Sequence, residues 1–108
     1  MRIISGTSKG RKLATPKSRS LRPTSDRVKE SIFNILREQI EERMVLDLFA
    51  GTGNLGIEAL SRGAKKVIFV EKGRHGLGLI QRNLAQAKLG ERSEVLLMDA
   101  NRAIGILN

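Results

Sequence analysis

Apolar positions along the chain switch between two rhythms. Val28, Ile32, Ile35, Leu36 and Ile40 recur every three or four residues, which predicts an amphipathic helix over residues 26–42. Thr24 or Ser25 supplies its N-cap, and Asp26 suits the positive helix end. Elsewhere the apolar residues run together. Residues 44–49 and 66–71 read as short buried strands, and Val67-Ile68-Phe69-Val70 is apolar throughout, as a strand buried on both faces should be. Each run leads into a helical pattern, at 54–62 with Gly63 as C-cap and at 75–88 closed by Gly90. A third strand at 94–98 and a helix over 101–107 complete the series. Ahead of all this, 2–6 and 11–15 form a β-hairpin turning at Ser8-Lys9-Gly10, with Pro16 ending it and a polar linker at 17–22. Strands alternating with helices predict an α/β fold with a parallel sheet.

The most informative stretch is Val45-Leu-Asp-Leu-Phe-Ala-Gly-Thr-Gly-Asn-Leu-Gly56. A strand, a tight glycine loop and a helix build a nucleotide-type cofactor site, since glycine backbone turns sharply and lets a ligand approach. Gly51-x-Gly53-x-x-Gly56 also satisfies the dinucleotide fingerprint. Asp47 weighs against that, because a carboxylate at the strand end repels a pyrophosphate. It suits the ammonium and sulfonium of S-adenosylmethionine. Three acids, Asp47, Glu71 and Asp99, fall at or near the carboxyl ends of the strands, where such sheets bind ligands. Glu71 lies 20 residues past Gly51, the spacing of an acid on ribose hydroxyls. Asp99 is placed to accept from an adenine amino group.

Charge adds a second theme. The formal net charge is +9, and residues 1–29 carry +8 of it. Such segregation is the footprint of a polyanion partner. Residues 1–24 are therefore a basic hairpin and linker, and 25–108 a cofactor-binding domain, a partial one by the family resemblance given below. Arg2, Lys9, Arg11, Lys12, Lys17 and Arg19 are the candidate contacts to such a polyanion, RNA under the family resemblance given below. None of the three phenylalanines lies in the arm, so phosphate contacts rather than base stacking should dominate. With no cysteine, a disulfide framework, thiol catalysis and zinc-thiolate chemistry are excluded, which fits the cytoplasm. The apolar runs are too short to span a membrane or to form a signal peptide. His75 stands alone as histidine and reads as a surface residue, so no metal site is expected. Gly73, Gly76 and Gly78 suggest a loose or displaced start to the helix that follows.

The whole chain resembles the N-terminal part of the bacterial 16S ribosomal RNA guanine-N2 methyltransferases of the RsmD type. The matching stretches are Met1 to Gly6, Gly10 to Leu13, Arg22-Pro-Thr-Ser-Asp-Arg-Val-Lys-Glu-Ser-Ile-Phe-Asn-Ile-Leu36, Val45 to Gly53 and Leu55 to Ala64. The Arg22 block is the most specific, because generic class I methyltransferases lack it. The resemblance implies a Rossmann-like class I fold and methyl transfer from S-adenosylmethionine to a guanine amine of 16S ribosomal RNA, free or in the small subunit. It implies cofactor contacts from Arg22, Thr24, Asp47, Phe49, Ala50, Gly51, Thr52, Gly53, Leu55, Glu71, Lys72, Asp99 and Ala100. The family's Asp-Pro-Pro-Tyr type motif, expected on a fourth strand, has no counterpart here, so no catalytic residue is assigned. Two readings follow: an RNA methyltransferase, or a fragment that binds S-adenosylmethionine, RNA or both without turnover. Without a fourth strand the first becomes an exposed apolar edge, which invites self-association.

Overall fold

The computed structural model describes residues 1–15, 24–48 and 50–107. Three strands, β1 (Met44–Asp47), β2 (Lys66–Glu71) and β3 (Ser93–Leu97), form one parallel sheet in the order β1-β2-β3. Among the described residues four α-helices accompany them: α1 (Asp26–Leu36), α2 (Asn54–Ser61), α3 (Arg74–Ala87) and α4 (Ala100–Leu107). This is the α/β arrangement that the alternating pattern predicts. The register pairs Asp47 with Phe69 and Glu71 with Leu97, so the carboxyl ends of all three strands share one edge. Ile57 and Leu60 of α2, Phe69 of β2 and Ile80 of α3 make the centre of the core. Gly56 matters here for packing. A Cβ there would fall 2.3 Å from the Phe69 ring, so glycine lets α2 lie close on β2.

Helix α1 differs from expectation in length and in face. Ser25 caps it, accepting from Val28 N at 3.3 Å, but the helix stops at Leu36 and tightens into a 3₁₀ turn, Arg37–Gln39. Beyond it Glu42 takes a positive φ of 62° and donates to Gly63 O at 2.9 Å, so tertiary contact overrides the helical pattern. The buried stripe includes Lys29 and Phe33, while Val28 and Ile35 are 51% and 80% exposed. The apolar stripe predicted from Val28 and Ile35 is therefore rotated by one position.

Other boundaries shift for local reasons. Helix α3 begins at Arg74, so its glycines do not displace it. Lys88 in left-handed conformation ends it, rather than Gly90, which opens a 3₁₀ turn. Gly63 does close the turn after α2, with φ 105° and Ala64 N donating to Ala59 O. Among the described residues, strand β1 pairs only with β2, and it is not fully buried: Met44 and Leu46 are 64% and 42% exposed.

The N-terminal arm is a hairpin-like loop rather than two full strands. A single bridge joins Arg2 and Lys12, supported by Ile3 N to Arg11 O and Leu13 N to Met1 O, each 3.0 Å. The turn is wider than predicted, running from Gly6 to Gly10, both at positive φ. The arm's apolar residues Ile3 and Leu13 are buried in the common core. Its tip is tied to the last turns of two helices, through Thr7 N to Ser61 O at 2.8 Å and Ser8 Oγ to Ala87 O at 3.0 Å. Because α2 and α3 run back toward the amino end of the sheet, this tip lies at the opposite end from the strands' carboxyl ends.

Candidate functional site

The glycine loop after β1 owes its shape to two left-handed residues, Gly51 at φ 56° and Gly53 at φ 82°. Gly53 N closes it onto Ala50 O at 2.7 Å, and Ala50 N reaches back to Val70 O at 3.1 Å. The Glu71 carboxylate, at the end of β2, binds the loop directly. Its Oε1 accepts from Gly51 N and its Oε2 from Gly73 N, both at 3.0 Å. Gly76 makes room for this arrangement, since a Cβ there would sit 2.9 Å from the Glu71 carboxylate. That gives a physical use to one of the glycines that α3 carries at some cost in helix propensity.

Beside Glu71 lies a cavity of about 450 Å³, lined among others by Leu48, Lys72, Met98, Asp99 and Ala100. Its size falls within the range of about 300–1,000 Å³ typical of small-molecule sites. Apolar walls from Leu48, Val70 and Met98 stand beside the carboxylates of Glu71 and Asp99. Asp99 also begins α4: its Oδ1 accepts from Arg102 N at 2.8 Å, a capping bond.

The structure thus gathers Glu71, Lys72, Asp99 and Ala100 around one cavity, with Ala50, Gly51, Thr52 and Gly53 in the adjoining loop. Asp47 and Leu55 fall elsewhere. They line a smaller, mainly apolar groove of about 170 Å³ between α1, β1 and α2. Thr24 meets the loop indirectly, its carbonyl accepting from Asn54 Nδ2 at 2.8 Å. Arg22 and Phe49 lie outside the described residues, as do Lys17 and Arg19. Arg2, Lys9, Arg11 and Lys12 are all exposed on the arm. Two of them already have partners: Arg2 pairs with Asp26 at 3.3 Å, and Arg11 Nη1 donates to Gln86 O at 3.4 Å near the end of α3.

Behind the loop sits a polar cluster that the sequence reading missed. Lys29 Nζ donates to Arg2 O at 2.6 Å and Asn54 Oδ1 at 2.7 Å, and pairs with Glu58 Oε1 at 3.1 Å. Glu58 also accepts from Ile4 N at 2.9 Å, Ser5 N at 3.0 Å and Arg62 Nε at 2.8 Å. The side chains of Lys29 and Glu58 are fully buried. Burial pushes the Glu58 carboxyl up, but the Ile4 amide, the Arg62 guanidinium and the Lys29 ammonium together outweigh it and hold its pKa below the ordinary value. A signal existed: Glu58 interrupts an apolar run at Ile57, Ala59 and Leu60.

A parallel sheet with a glycine loop and acids at the strand ends is shared by many proteins; the sequence decides among them. The family model described as conserved hypothetical protein 95 matches residues 1–107. The chain belongs to that family. It is 48% identical over 97 residues to ribosomal RNA small subunit methyltransferase D of Haemophilus influenzae, covering 89% of this chain and 50% of the relative. The Escherichia coli protein of the same name is 48% identical over 90 residues, covering 83% and 46%. Among solved structures, the Escherichia coli protein YhhF, provisionally named a methyltransferase, superposes with a TM-score of 0.85 at 40% identity, covering 96% of this chain and 55% of that one. The chain spans about half the length of these relatives. The family resemblance carried by the Arg22 block and the glycine loop is borne out, and so is the Rossmann-like class. Among the described residues no helix is long and apolar enough to cross a membrane.

Proposed function

We propose that this chain carries the methyl-donor site and RNA-holding arm of an S-adenosylmethionine-dependent methyltransferase acting on a guanine amine of 16S ribosomal RNA. The observation that carries this reading is the cavity at the strand ends, lined by Asp99 and by Glu71, which is tied to the glycine loop. The residues suit the cofactor. Leu48, Val70 and Met98 offer apolar walls to an adenine, and Asp99 offers an acceptor to its amino group. Glu71 offers a carboxylate to ribose hydroxyls once it exchanges its bonds to Gly51 and Gly73. Lys72 and Ala100 complete the rim, and the glycine loop admits the chain beyond the ribose. When bound, the sulfonium supplies the electrophilic methyl group. Asp47 and Leu55 approach from the neighbouring groove and belong to the methionine end. Calorimetry is the test. The chain should bind S-adenosylhomocysteine and not NAD; the reverse preference would replace the reading with a dinucleotide site.

The arm is assigned to RNA on its charge and on its position, which spans the length of α2 from loop to far edge. Phosphates can then be held a helix length away from the reacting base. Lys12 is the cleanest probe, because Arg2 and Arg11 are engaged within the fold. Lys12→Ala should weaken binding to a 16S RNA fragment and flatten the dependence of log K on log salt by about one unit. An unchanged slope would remove this residue from the RNA surface. The whole protein's substrate, naked RNA or the small subunit, belongs to the same reading, as does a cytoplasmic location. Self-association through the exposed Met44 and Leu46 of β1 is a further part of it; a single monomeric species in sedimentation at all concentrations would dismiss it.

A further inference from the structure

Asn83 is fully buried in α3 and is not among the residues that line the cavity at the strand ends. Its carboxamide makes three hydrogen bonds. Oδ1 accepts from Ala14 N at 2.6 Å. Nδ2 donates to Ala14 O at 3.3 Å and to Thr52 O at 3.0 Å. One side chain therefore holds the base of the basic arm and the middle of the glycine loop. A buried amide is unfavourable unless it is hydrogen-bonded, and Leu at this helical position would avoid the cost while favouring the helix more. What the carboxamide adds is the ability to donate to two carbonyls while accepting from an N–H.

The bond to Thr52 lands where the backbone has most freedom. Thr52 lies between Gly51 and Gly53, both left-handed. Fixing the Thr52 carbonyl fixes the plane of the peptide that follows, and with it the Gly53 N–H that closes the loop on Ala50 O. The other side of the loop is held by Asn54, whose N–H meets Thr52 Oγ1 at 3.3 Å and whose side chain meets Thr24 O and Lys29.

We propose that Asn83 is a positioning residue for the methyl-donor loop: it sets the Thr52–Gly53 peptide and pins Ala14 of the arm to the same point. The inference rests on reading that loop as the S-adenosylmethionine cradle. It acts through the backbone and does not touch the cofactor. Its consequence is that the basic arm and the donor loop keep a fixed relative placement, as an enzyme needs when it must bring one base of a long RNA to one methyl group.

Two variants separate the parts. Asn83→Asp keeps the acceptor for Ala14 N but turns an acidic oxygen toward the carbonyls of Thr52 and Ala14. Asn83→Ser removes the reach to Thr52 without adding charge. In a folded variant, Gly53 amide exchange should accelerate about tenfold while the β2 amides keep their protection, and S-adenosylhomocysteine should bind about tenfold more weakly by calorimetry. Unchanged Gly53 exchange in a folded variant overturns the positioning role whatever the cofactor does. If the wild-type chain binds no S-adenosylhomocysteine, the donor-site reading fails, yet accelerated Gly53 exchange still assigns Asn83 to the loop. If neither variant folds, the wild-type protein decides. The Asn83 carboxamide protons should exchange more slowly than those of exposed Asn34 and Asn101 and should shift when S-adenosylhomocysteine is added. Carboxamide protons that exchange as fast as those of Asn34 and Asn101 overturn the proposal, and so does the absence of a shift in a chain that calorimetry shows to bind S-adenosylhomocysteine.

Discussion

Replacing Glu58 by Gln is expected to destabilise the protein by about 3–5 kcal/mol, a large share of the roughly 5–15 kcal/mol that holds a domain folded. The carboxylate is surrounded by donors: Ile4 N and Lys29 Nζ on one oxygen, Ser5 N and Arg62 Nε on the other. Whichever way the Gln amide turns, its NH₂ group meets two of them. Lys29, fully buried, would keep Arg2 O and Asn54 Oδ1 but lose its counter-charge. Urea denaturation measures the cost. The double variant Lys29→Met with Glu58→Gln should recover part of it, because the uncompensated charge is gone. A double variant no more stable than Glu58→Gln alone would mean that the ion pair is not the cause.

The same residue sets a pH dependence whose sign follows from its pKa. The Glu58 carboxyl is held below its ordinary value of 4.5 in the folded chain, where burial alone would raise it but the surrounding donors lower it further. Its contribution is therefore complete above the unfolded pKa and is lost as pH falls through the folded one. The wild-type urea midpoint should drop as pH is lowered from about 5 toward about 3, and Glu58→Gln should lack that part of the decline. Parallel curves for the two proteins would show that other carboxylates control acid stability.

Periodicity carried the sheet and its helices because each apolar run faces its own helix or strand neighbour. The glycine loop was legible for a similar reason, since backbone geometry there demands glycine locally. Lys29 and Glu58 were not legible in that way. A Lys in the apolar stripe of α1 reads as a solvated residue until its partners are known, and those come from residues 2, 54 and 58. Charge also left the packing of the arm untold. Segregated Lys and Arg point to a polyanion partner but do not reveal that the same arm buries Ile3 and Leu13 in the core. Asp99 shows a third limit: one carboxylate can cap a helix and line a cavity, and spacing alone does not separate the two uses.

Gly6→Ala should be as damaging as the loss of Glu58, at about 3 kcal/mol or more, for a purely steric reason. A Cβ at Gly6 would lie 1.8 Å from Ser61 O and 2.3 Å from Ser61 C, both backbone atoms that no rotamer change can clear. The arm would have to lift from the end of α2. Lifting it breaks Thr7 N to Ser61 O, Ser8 N to Ser61 Oγ at 3.0 Å and Ser61 Oγ to Ser5 O at 2.7 Å. It also draws the Ile4 and Ser5 amides away from Glu58, so the buried cluster loses two donors at once. Gly10 is the control. It has φ 86°, close to the 91° of Gly6, but a Cβ there meets nothing within 4 Å. Gly10→Ala should cost only the backbone strain of a left-handed residue, about 1 kcal/mol. Urea midpoints for the two variants separate clash from strain, and limited trypsin digestion locates the damage. In Gly6→Ala, cleavage after Lys9, Arg11 or Lys12 should precede cleavage in the sheet. Equal midpoints for the two variants would show that the arm can leave α2 without loss, and the N-terminal arm would then have to be regarded as an appendage rather than as part of the core.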